Sequence, residues 1–259
     1  MPLTAGNARV KDARRLSRRS VRTDRRLFLA DGPKAVAGAL EAGCVVEVFT
    51  TRDASRRYAA LVAGATSVSL VEDRALASLS DSVTPAGIVA VCSFLDVTLA
   101  DVLTPPGGSS LVAICADVRD PGNAGTLVRT ADALGADAVV LAGHSVDPYN
   151  PKSVRASVGS LFHLPIAIEA DPAAAVAAAQ AAGLVVLAAD GAGELDLADA
   201  SSILARPTAW LFGNEAWGLP TELAALADHR VRIPIHRRAE SLNLATAAAI
   251  CLHASARVR

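Results

Sequence analysis

The stretch LVAICADVRDPGNAGTLVRTADALGADAVVLA, residues 111–142, decides the fold class. It opens with the continuous apolar run Leu111–Ala116, passes through a Pro-Gly turn and closes with a second apolar run, Ala138–Ala142. Asn123 or one of its neighbours is suited to cap a helix between the runs. Apolar residues recur at helical spacing there, at Leu127, Ala131 and Leu134. Gly135 is placed to end the helix. Strand, helix and strand in this order predict a βαβ unit.

The same rhythm of short apolar runs and Ala-rich stretches extends over the rest of the chain. After residue 142, further runs predict strands at Leu184–Ala189, Ala209–Phe212 and Val231–Ile235. Before residue 111, the corresponding runs are Leu27–Ala30, Val45–Phe49, Val68–Val71 and Ile88–Phe94. The C-terminal runs are apolar throughout, which is typical of strands buried on both faces, so we expect a largely parallel sheet there. The chain is therefore predicted to be an α/β protein.

A break in both periodicities separates the two sets of strands. Residues 103–110 read LTPPGGSS, and two prolines followed by two glycines support neither a helix nor a central strand. The chain has 259 residues, more than the roughly 100–200 that one domain usually takes. We therefore predict a smaller N-terminal domain over 1–102, a linker over 103–110 and a C-terminal domain over 111–259.

Composition excludes several classes of protein. Hydrophobic residues make up 52% of the chain and charged residues 20%, which suits a globular protein and not a disordered one. No apolar run approaches the roughly 18 residues that a membrane span needs, and the basic N-terminus lacks the apolar core of a signal peptide. The 4 cysteines lie far apart without metal-binding spacing. We expect a cytoplasmic protein without a membrane anchor, a metal site or a disulfide framework.

Positive charge is concentrated near the N-terminus, although the net charge of the chain is only −1. Between residues 9 and 26, Asp12 and Asp24 oppose a larger set of basic residues: Arg9, Lys11, Arg14, Arg15, Arg18, Arg19, Arg22, Arg25 and Arg26. A basic segment on an otherwise acidic chain suits a phosphate backbone, and the arginine fork favours bidentate phosphate contacts. The alternative is a solvated basic helix without a function. We favour nucleic-acid binding.

The second stretch with chemical content is LFGNEAWGLP, residues 211–220. It ends a buried strand in a loop that sets Glu215 between Gly213 and Gly218. Glycines allow a close approach of the backbone to a ligand, and α/β proteins bind ligands at the carboxyl ends of parallel strands. Alternatively, Glu215 is an acid at the start of a helix. Trp217 is interpreted as a packing residue, with a base-stacking platform as the alternative.

The third stretch, RIPIHRRAESLNLATAAAICLH, covers residues 232–253 and runs from a strand through a polar loop into a helix. Ser241 occupies the predicted N-cap position. Asn243 is a poor helix former in the first turn, so its amide is expected to serve the site, with a second cap as the alternative. In the first stretch, Arg129 stands out within the helix, although a lone arginine is ordinarily a surface residue.

Taken together, NAGTLVRTADALGA, LFGNEAWGLP and IPIHRRAESLNLATAAAI resemble, in order and spacing, the three motifs of the SpoU (TrmH-like) branch of the SPOUT RNA methyltransferases. The N-terminal stretch RVKDARRLSRRSVRTDRRLFLADGPKAV resembles the substrate-binding domain of that branch. The resemblance implies a C-terminal parallel-sheet SPOUT domain with a deep trefoil knot and an N-terminal α/β RNA-binding domain. It also implies S-adenosylmethionine as the cofactor, RNA as the partner and a homodimer formed through the C-terminal domain.

The resemblance further assigns roles to residues of this chain. It implies that the catalytic residues are Arg129, Asn123, Glu215, Ser241 and Asn243. It implies that the cofactor contacts Leu187, Gly213, Ile233, Ser241 and Leu242, with Leu187 at a strand end against the adenine. For RNA, the resemblance implies a contact at Arg155, and the charge of the basic segment predicts further contacts at Arg14, Arg15, Arg18, Arg19 and Arg22.

Two points modify the carried-over roles. The family proposal makes Arg129 a base, but a guanidinium stays charged in proteins, so we expect Arg129 to hold a phosphate and stabilise the developing alkoxide. Glu215 is then expected to orient Arg129 or its loop, while Asn243 and Ser241 fix the ribose hydroxyl and the carboxylate end of the cofactor. The loop IHRRAE, residues 235–240, departs from the family pattern, and His236, Arg237 and Arg238 are expected to shape substrate contact there.

The implied activity is methylation of a ribose 2′-hydroxyl in structured RNA. Ribosomal RNA is the expected substrate, because the N-terminal domain of this kind usually accompanies ribosomal substrates in the branch. Transfer RNA methylation and an RNA-binding protein without catalysis are the alternatives. A nicotinamide-dependent oxidoreductase fits the βαβ rhythm but would need a GxGxxG turn after its first strand, which the chain lacks.

Overall fold

The computed structural model describes residues 1–105, 107–108 and 110–259; the predicted linker, 103–110, contains Pro106 and Ser109, which lie outside the described residues. The strands are β1 (Leu27–Asp31), β2 (Val45–Thr50), β3 (Val68–Leu70), β4 (Ile88–Ser93), β5 (Leu111–Ala116), β6 (Ala138–Ala142), β7 (Ile166–Glu169), β8 (Val185–Ala189), β9 (Leu195–Asp196), β10 (Thr208–Phe212) and β11 (His229–Arg232). The helices are α1 (Ala8–Arg14), α2 (Arg19–Arg25), α3 (Pro33–Glu41), α4 (Arg52–Arg57), α5 (Ala59–Ala63), α6 (Asp73–Ala77), α7 (Leu99–Leu103), α8 (Pro121–Ala133), α9 (Pro151–Ser157), α10 (Pro172–Ala181), α11 (Ser201–Leu204), α12 (Thr221–Ala224) and α13 (Leu244–Ala256). Short 3-10 helices cover Arg15–Ser17, Ser160–Phe162 and Leu197–Asp199.

The described chain forms two compact units. The first combines Met1–Leu95 with Asp147–His163, and the second combines Asp96–Val146 with Leu164–Arg259. The units therefore differ from the predicted domains at residues 96–102 and at Asp147–His163. The domain boundaries stay a prediction.

The second unit contains a seven-stranded sheet in its described residues, in the order β7-β6-β5-β10-β8-β11-β9. Each pair of neighbouring strands in this sheet runs parallel, which confirms the predicted parallel sheet and the α/β class. Strands β5, β6 and β10 are buried along their whole length, as continuous apolar runs between two helical layers should be. The trefoil knot implied by the family resemblance remains a prediction.

Helices cover both faces of this sheet. On one face, α10 packs against β5, β6, β7 and β8 through small residues such as Ala175 and Ala179, which are both fully buried. On the other face, α8 packs against β6 and α13, and α13 packs against β10. The buried Trp210 of β10 donates its indole N–H to the buried hydroxyl of Ser255 in α13 at 2.9 Å. This bond fastens α13 to the central strand of the sheet.

The first unit contains a mixed four-stranded sheet in the order β1-β4-β2-β3. Strand β4 is antiparallel to β1 and β2, whereas β2 and β3 are parallel. The segment Asp147–His163 packs on this sheet through aromatic rings. The ring centroid of Tyr149 lies 3.9 Å from that of Phe94, on which it stacks, and 4.7 Å from that of Phe28. The hydroxyl of Tyr149 also accepts a hydrogen bond from the N–H of Leu95 at 2.7 Å.

A buried ion pair joins the basic segment to Asp147–His163. The Nε and Nη2 atoms of Arg22 donate to one carboxylate oxygen of Asp147 at 2.8 and 2.6 Å. The Nη1 atom donates to the carbonyls of Leu16 and Ser17 at 2.9 and 2.8 Å. Arg22 is 2% exposed and Asp147 is 9% exposed, so both charges depend on each other for compensation.

Two of the predicted strands match the structure at both ends. Leu111–Ala116 and Ala138–Ala142 are strands with the predicted bounds. The predicted strand Val231–Ile235 was wrong at its ends, because β11 covers His229–Arg232 and the chain leaves the sheet before Pro234. Two short strands near the sheet edges, β7 and β9, were not predicted. Among the residues that the structure describes, no helix is long and apolar enough to cross a membrane.

We predict that Asp147→Asn destabilises the protein by about 3–5 kcal/mol, because it leaves the charge of Arg22 buried without a counter-charge. Urea denaturation followed by circular dichroism measures the loss. The matched control is Asp81→Asn, which breaks the exposed ion pair between Asp81 and Arg155 and should cost about 0–1 kcal/mol. Equal effects of the two substitutions would contradict the structural importance of the buried pair.

Candidate active site

A pocket of about 340 Å³ lies at the carboxyl ends of three adjacent parallel strands, β8, β10 and β11. Its lining comes from residues 189–191 after β8, residues 212–218 at the end of β10 and Val231, Ile233 and Ile235 in and after β11. Residues 240–242 of the loop before α13 and Leu244 and Ala247 of its first turn complete the lining. The pocket occupies the sheet edge at which parallel α/β proteins bind ligands.

The loop after β10 folds back tightly on itself. The backbones of Asn214 and Gly218 exchange two hydrogen bonds, of 2.9 and 3.0 Å. A Cβ atom at Gly213 would clash with the carbonyl group of Gly218, and Gly218 itself has a positive φ of 71°. Both glycines are therefore required by the loop's own backbone, and the sequence interpretation, which assigned them to close approach of a ligand, missed this reason.

The buried side chain of Asn214 ties this loop to the one after β5. Its Nδ2 atom donates to the carbonyl of Asp117 at 2.7 Å, and its Oδ1 atom accepts from the N–H of Ala216 at 2.8 Å. Asn214 is 5% exposed. Asn214 is not among the predicted site residues, although its position beside Gly213 in a strand-end loop was an available signal.

The carboxylate of Glu215 connects the second motif to the first. It accepts hydrogen bonds from the N–H groups of Arg119 and Asp120 at 3.1 and 3.0 Å and from the Nδ2 atom of Asn123 at 3.3 Å. Partial burial raises the pKa of Glu215, but these donors, together with the residue's own N–H, outweigh that effect and hold the pKa below its ordinary value of 4.5. Glu215 is thus a charged acceptor for the loop that leads into α8.

Asn123 and Asn243 connect the first motif to the third. The Nδ2 atom of Asn243 donates to the Oδ1 atom of Asn123 at 3.0 Å. The Oδ1 atom of Asn243 accepts from the N–H groups of Ala245 and Thr246. A continuous hydrogen-bonded chain therefore runs from Glu215 through Asn123 to Asn243, and it includes all three motifs.

The helix caps differ from the predicted ones. Asp120 caps α8, with its carboxylate accepting from the N–H of Asn123, so Asn123 lies within the first turn. Asn243 caps α13, which leaves Ser241 in the preceding loop. The prediction of Ser241 as the N-cap was wrong, because the helix begins two residues later than its polar loop suggested. Asn243 combines the cap with its contact to Asn123.

Arg129 lies on the exposed side of α8. Within residues 1–105, 107–108 and 110–259, the structure gives its side chain no hydrogen bond or ion pair. Glu215 was expected to orient Arg129 or its loop. Its carboxylate accepts hydrogen bonds from the loop before α8 and makes none with Arg129. The guanidinium of Arg129 is consequently available to a ligand.

The predicted cofactor contacts divide into two groups. Gly213, Ile233, Ser241 and Leu242 line the pocket. Leu187 does not, because it is fully buried in the middle of β8. The strand continues to Ala189, and the pocket lining begins there. The placement of Leu187 at a strand end was therefore wrong.

The predicted RNA contacts divide in the same way. Arg14, Arg15, Arg18 and Arg19 are exposed on the first unit. Arg22 is buried against Asp147, so the structure contradicts its role in RNA binding: almost no surface of its guanidinium is open to a phosphate. Arg155 forms an exposed ion pair with Asp81 at 3.0 Å.

Further residues line the pocket without having been predicted, among them Asp190, Trp217, Ile235, Glu240 and Leu244. Trp217 was interpreted as a packing residue, but 60% of it is exposed. The described part of the chain holds no cluster of His, Cys, Asp and Glu residues suited to a metal ion.

Comparisons with known proteins show the family to which the chain belongs. The model of the SpoU rRNA Methylase family matches residues 110–253, and that of the MRM3-like substrate binding domain matches residues 7–90. RlmP of Bacillus subtilis (strain 168), named a 23S rRNA (guanosine(2553)-2'-O)-methyltransferase, is 33% identical over 253 residues, which are 96% of each chain.

Solved structures resemble the chain over nearly its whole length. The AdoMet-bound rRNA methyltransferase from Sinorhizobium meliloti has a TM-score of 0.87 and 35% identity, with 99% of this chain and 97% of that chain covered. The SpoU methyltransferase AviRb from Streptomyces viridochromogenes, solved with AdoMet, has a TM-score of 0.86 and 32% identity, with 97% of both chains covered. The chain therefore belongs to the SpoU rRNA methylase family, as its three motifs predict.

Proposed function

We propose that this protein transfers a methyl group from S-adenosylmethionine to a ribose 2′-hydroxyl of ribosomal RNA. The observation that carries the proposal is the hydrogen-bonded chain from Glu215 through Asn123 to Asn243, which joins the three motifs beside one pocket. The names of the relatives support it, since RlmP is named a 23S rRNA 2'-O-methyltransferase and the Sinorhizobium meliloti structure is described as AdoMet-bound.

The pocket fits S-adenosylmethionine in size and chemistry. Its volume of about 340 Å³ falls in the range of roughly 300–1,000 Å³ typical of small-molecule sites. Ile233 and Leu242 offer apolar walls for an adenine, and the carboxylates of Asp190 and Glu240 suit an ammonium group or ribose hydroxyls. When bound, S-adenosylmethionine supplies a methyl group on a positively charged sulfur, which is reactive towards an oxygen nucleophile.

Methyl transfer depends mainly on alignment, so positioning residues matter as much as reacting ones. The side chains of three site residues are hydrogen-bonded to one another and to the backbone, namely Asn123, Glu215 and Asn243. We assign them to holding the loops of the site, and we assign the pocket-lining hydroxyl of Ser241 to contact with bound groups. Asn243, which was expected to fix the ribose hydroxyl, is therefore assigned to holding the loops of the site.

Arg129 is the residue we assign to the nucleophile. A ribose hydroxyl becomes negatively charged as its proton leaves, and a guanidinium, which stays charged in proteins, stabilises that oxygen and the adjacent phosphate. Its exposure on α8 supports this role. The exposed arginines Arg14, Arg15, Arg18 and Arg19 of the first unit are assigned to the phosphate backbone of the RNA.

Two further features belong to the proposal. A homodimer through the second unit is supported by apolar side chains exposed on or beside α13, Leu242, Ile250 and Val258. Sedimentation velocity of the purified protein checks it, and a monomer at micromolar concentration contradicts it. A cytoplasmic location follows from the proposed substrate, and cell fractionation tests it.

The proposal is tested by mapping 2′-O-methyl groups in ribosomal and transfer RNA from cells with and without the gene. We expect one ribosomal site to lose its methyl group when the gene is removed. Purified protein with S-adenosylmethionine should restore that group. Loss of a transfer RNA methyl group instead would reject the proposed substrate.

We predict that Arg129→Ala lowers kcat/KM for this transfer by about 10²–10³-fold, the cost of losing one donor to a developing oxyanion. Steady-state kinetics with ribosomal RNA from cells that lack the gene measure the change. The control is Arg206→Ala, which removes another exposed arginine of the second unit and should leave the rate unchanged. Full activity of Arg129→Ala rejects the assigned role.

We predict that Glu215→Gln lowers methyl transfer by about 10²-fold, because the loop before α8 loses its charged acceptor and the reacting groups are misplaced. The substitution should also flatten the pH dependence of stability. Since the folded-state pKa of Glu215 lies below its ordinary value of 4.5, its contribution is full above pH 4.5 and is lost as the pH falls through the folded-state value. Urea denaturation at a series of pH values measures this. Glu222→Gln, at an exposed position in α12, is the control, and identical profiles for the two variants would contradict the prediction.

We predict that the double substitution Arg18→Ser and Arg19→Ser weakens RNA binding and lowers the dependence of log K on log salt by about 1 for each phosphate that is no longer neutralised. Filter binding over a range of salt concentrations measures both effects. The control is the double substitution Arg56→Ser and Arg57→Ser, which removes the same charge from exposed positions in α4. An unchanged salt dependence in the first variant would exclude Arg18 and Arg19 from the RNA-binding surface.

A further inference from the structure

The two tryptophans of the chain lie in opposite environments. Trp210 is fully buried in β10 and is hydrogen-bonded to Ser255. Trp217, only seven residues later in the sequence, is 60% exposed. A large aromatic ring in water forgoes the stabilisation that burial would provide. Core packing therefore explains Trp210 but not Trp217.

The loop that carries Trp217 is held rigidly. The two backbone hydrogen bonds between Asn214 and Gly218 close it, with Glu215, Ala216 and Trp217 between them. The side chain of Asn214 fastens it to Asp117, and the carboxylate of Glu215 fastens it to the loop before α8. An exposed ring on a preorganised loop loses little conformational entropy when a flat partner stacks on it.

The surroundings of Trp217 match the chemistry of RNA. Trp217 lines the proposed cofactor pocket. It lies two residues after Glu215, which is hydrogen-bonded to Asn123. The same pocket is lined by Ile235 and Glu240, and the loop between these two residues carries the exposed cations Arg237 and Arg238. An aromatic face beside arginines is the usual composition of a surface that binds single-stranded nucleic acid.

We infer that Trp217 is a stacking platform for a nucleobase of the RNA, at or next to the nucleotide whose ribose is methylated. The inference rests on the proposed function. RNA-binding proteins read unpaired bases in loops by stacking them on aromatic side chains, and every base offers a π face. Stacking at Trp217 would turn the target nucleotide towards the pocket and fix its ribose there, which makes Trp217 a positioning residue for substrate.

The nucleobase has two sources, an RNA base or the adenine of the cofactor. The RNA base is favoured because most of Trp217 faces solvent, whereas the pocket offers inner apolar walls at Phe212 and Val231, which are each 1% exposed. A small ligand held at such walls leaves the outer face of the ring open to a macromolecule.

The kinetic test compares Trp217→Ala, Trp217→Leu and Trp217→Phe in methyl transfer to ribosomal RNA from cells that lack the gene. Loss of a stacked base lowers binding by about 5- to 150-fold. We expect KM for RNA to rise within that range in the Ala and Leu variants and to stay within about threefold of wild type in Trp217→Phe, which keeps a π face. The Leu variant separates stacking from general hydrophobic contact. Equal KM values for Leu and Phe would overturn the inference.

The spectroscopic test needs no methyl transfer, so it stands apart from the success of the proposed function. The fluorescence of the exposed Trp217 is measured during titration with oligoadenylate, with an abasic oligomer of the same length and with S-adenosylhomocysteine. Trp217→Phe, which keeps the buried Trp210 as its fluorophore, is the control. Quenching by oligoadenylate alone, absent from the control, supports stacking by an RNA base. Quenching by the abasic oligomer or by S-adenosylhomocysteine, or no quenching, overturns it.

Two controls test whether misfolding or a change of oligomeric state causes a kinetic defect. Thermal unfolding of the variants should match wild type, because an exposed side chain is replaced. Sedimentation velocity should give the same mass for Trp217→Ala and wild type. A fall in mass would assign Trp217 to an interface between copies of the chain and overturn the inference.

Discussion

The carboxylate of Glu215 is the group on which the geometry of the site depends. It draws the N–H groups of Arg119 and Asp120 towards the loop after β10, and through Asn123 it reaches the cap of α13. Three loops from distant parts of the chain meet because one anion satisfies donors at the start of α8, where backbone N–H groups have no partners inside the helix. A charged acceptor suits this task, since hydrogen bonds to an ionised group are shorter and stronger than neutral ones.

The parallel sheet makes this meeting possible. Strands β8, β10 and β11 are adjacent and point the same way, so the segments that follow them leave at one edge. The central position of β10 places its loop between those of β5 and β8, and the buried bond from Trp210 to Ser255 holds α13 against the same strand. The sheet supplies the proximity of the loops, and the hydrogen bonds of Glu215 and Asn123 fix their relative positions.

The first unit follows another logic. Its basic segment contains arginines with two different tasks. Arg22 closes the unit by pairing with Asp147, which is 125 residues away in sequence, whereas Arg14, Arg18 and Arg19 stay on the surface. Burial of a guanidinium is tolerable only because a carboxylate and two carbonyls compensate it. One stretch of charge thus provides both an internal fastening and the surface proposed for RNA.

The sequence by itself determined the α/β class, the strands at Leu111–Ala116 and Ala138–Ala142 and the family, because continuous apolar runs and ordered motifs are local patterns. Only the tertiary structure decided which residue performs which task. In the folded chain, Leu187 and Arg22 are buried and Trp217 is exposed to solvent. Asn243 is a helix cap, and Glu215 is hydrogen-bonded to the loop before α8 and not to Arg129. Each outcome depends on what lies opposite the side chain, and those partners are distant in sequence, such as Asn123 and Asn243 at a separation of 120 residues. A sequence pattern predicts the periodicity of one helix or strand. It does not predict which side chain of another element will lie against that helix or strand in the folded protein.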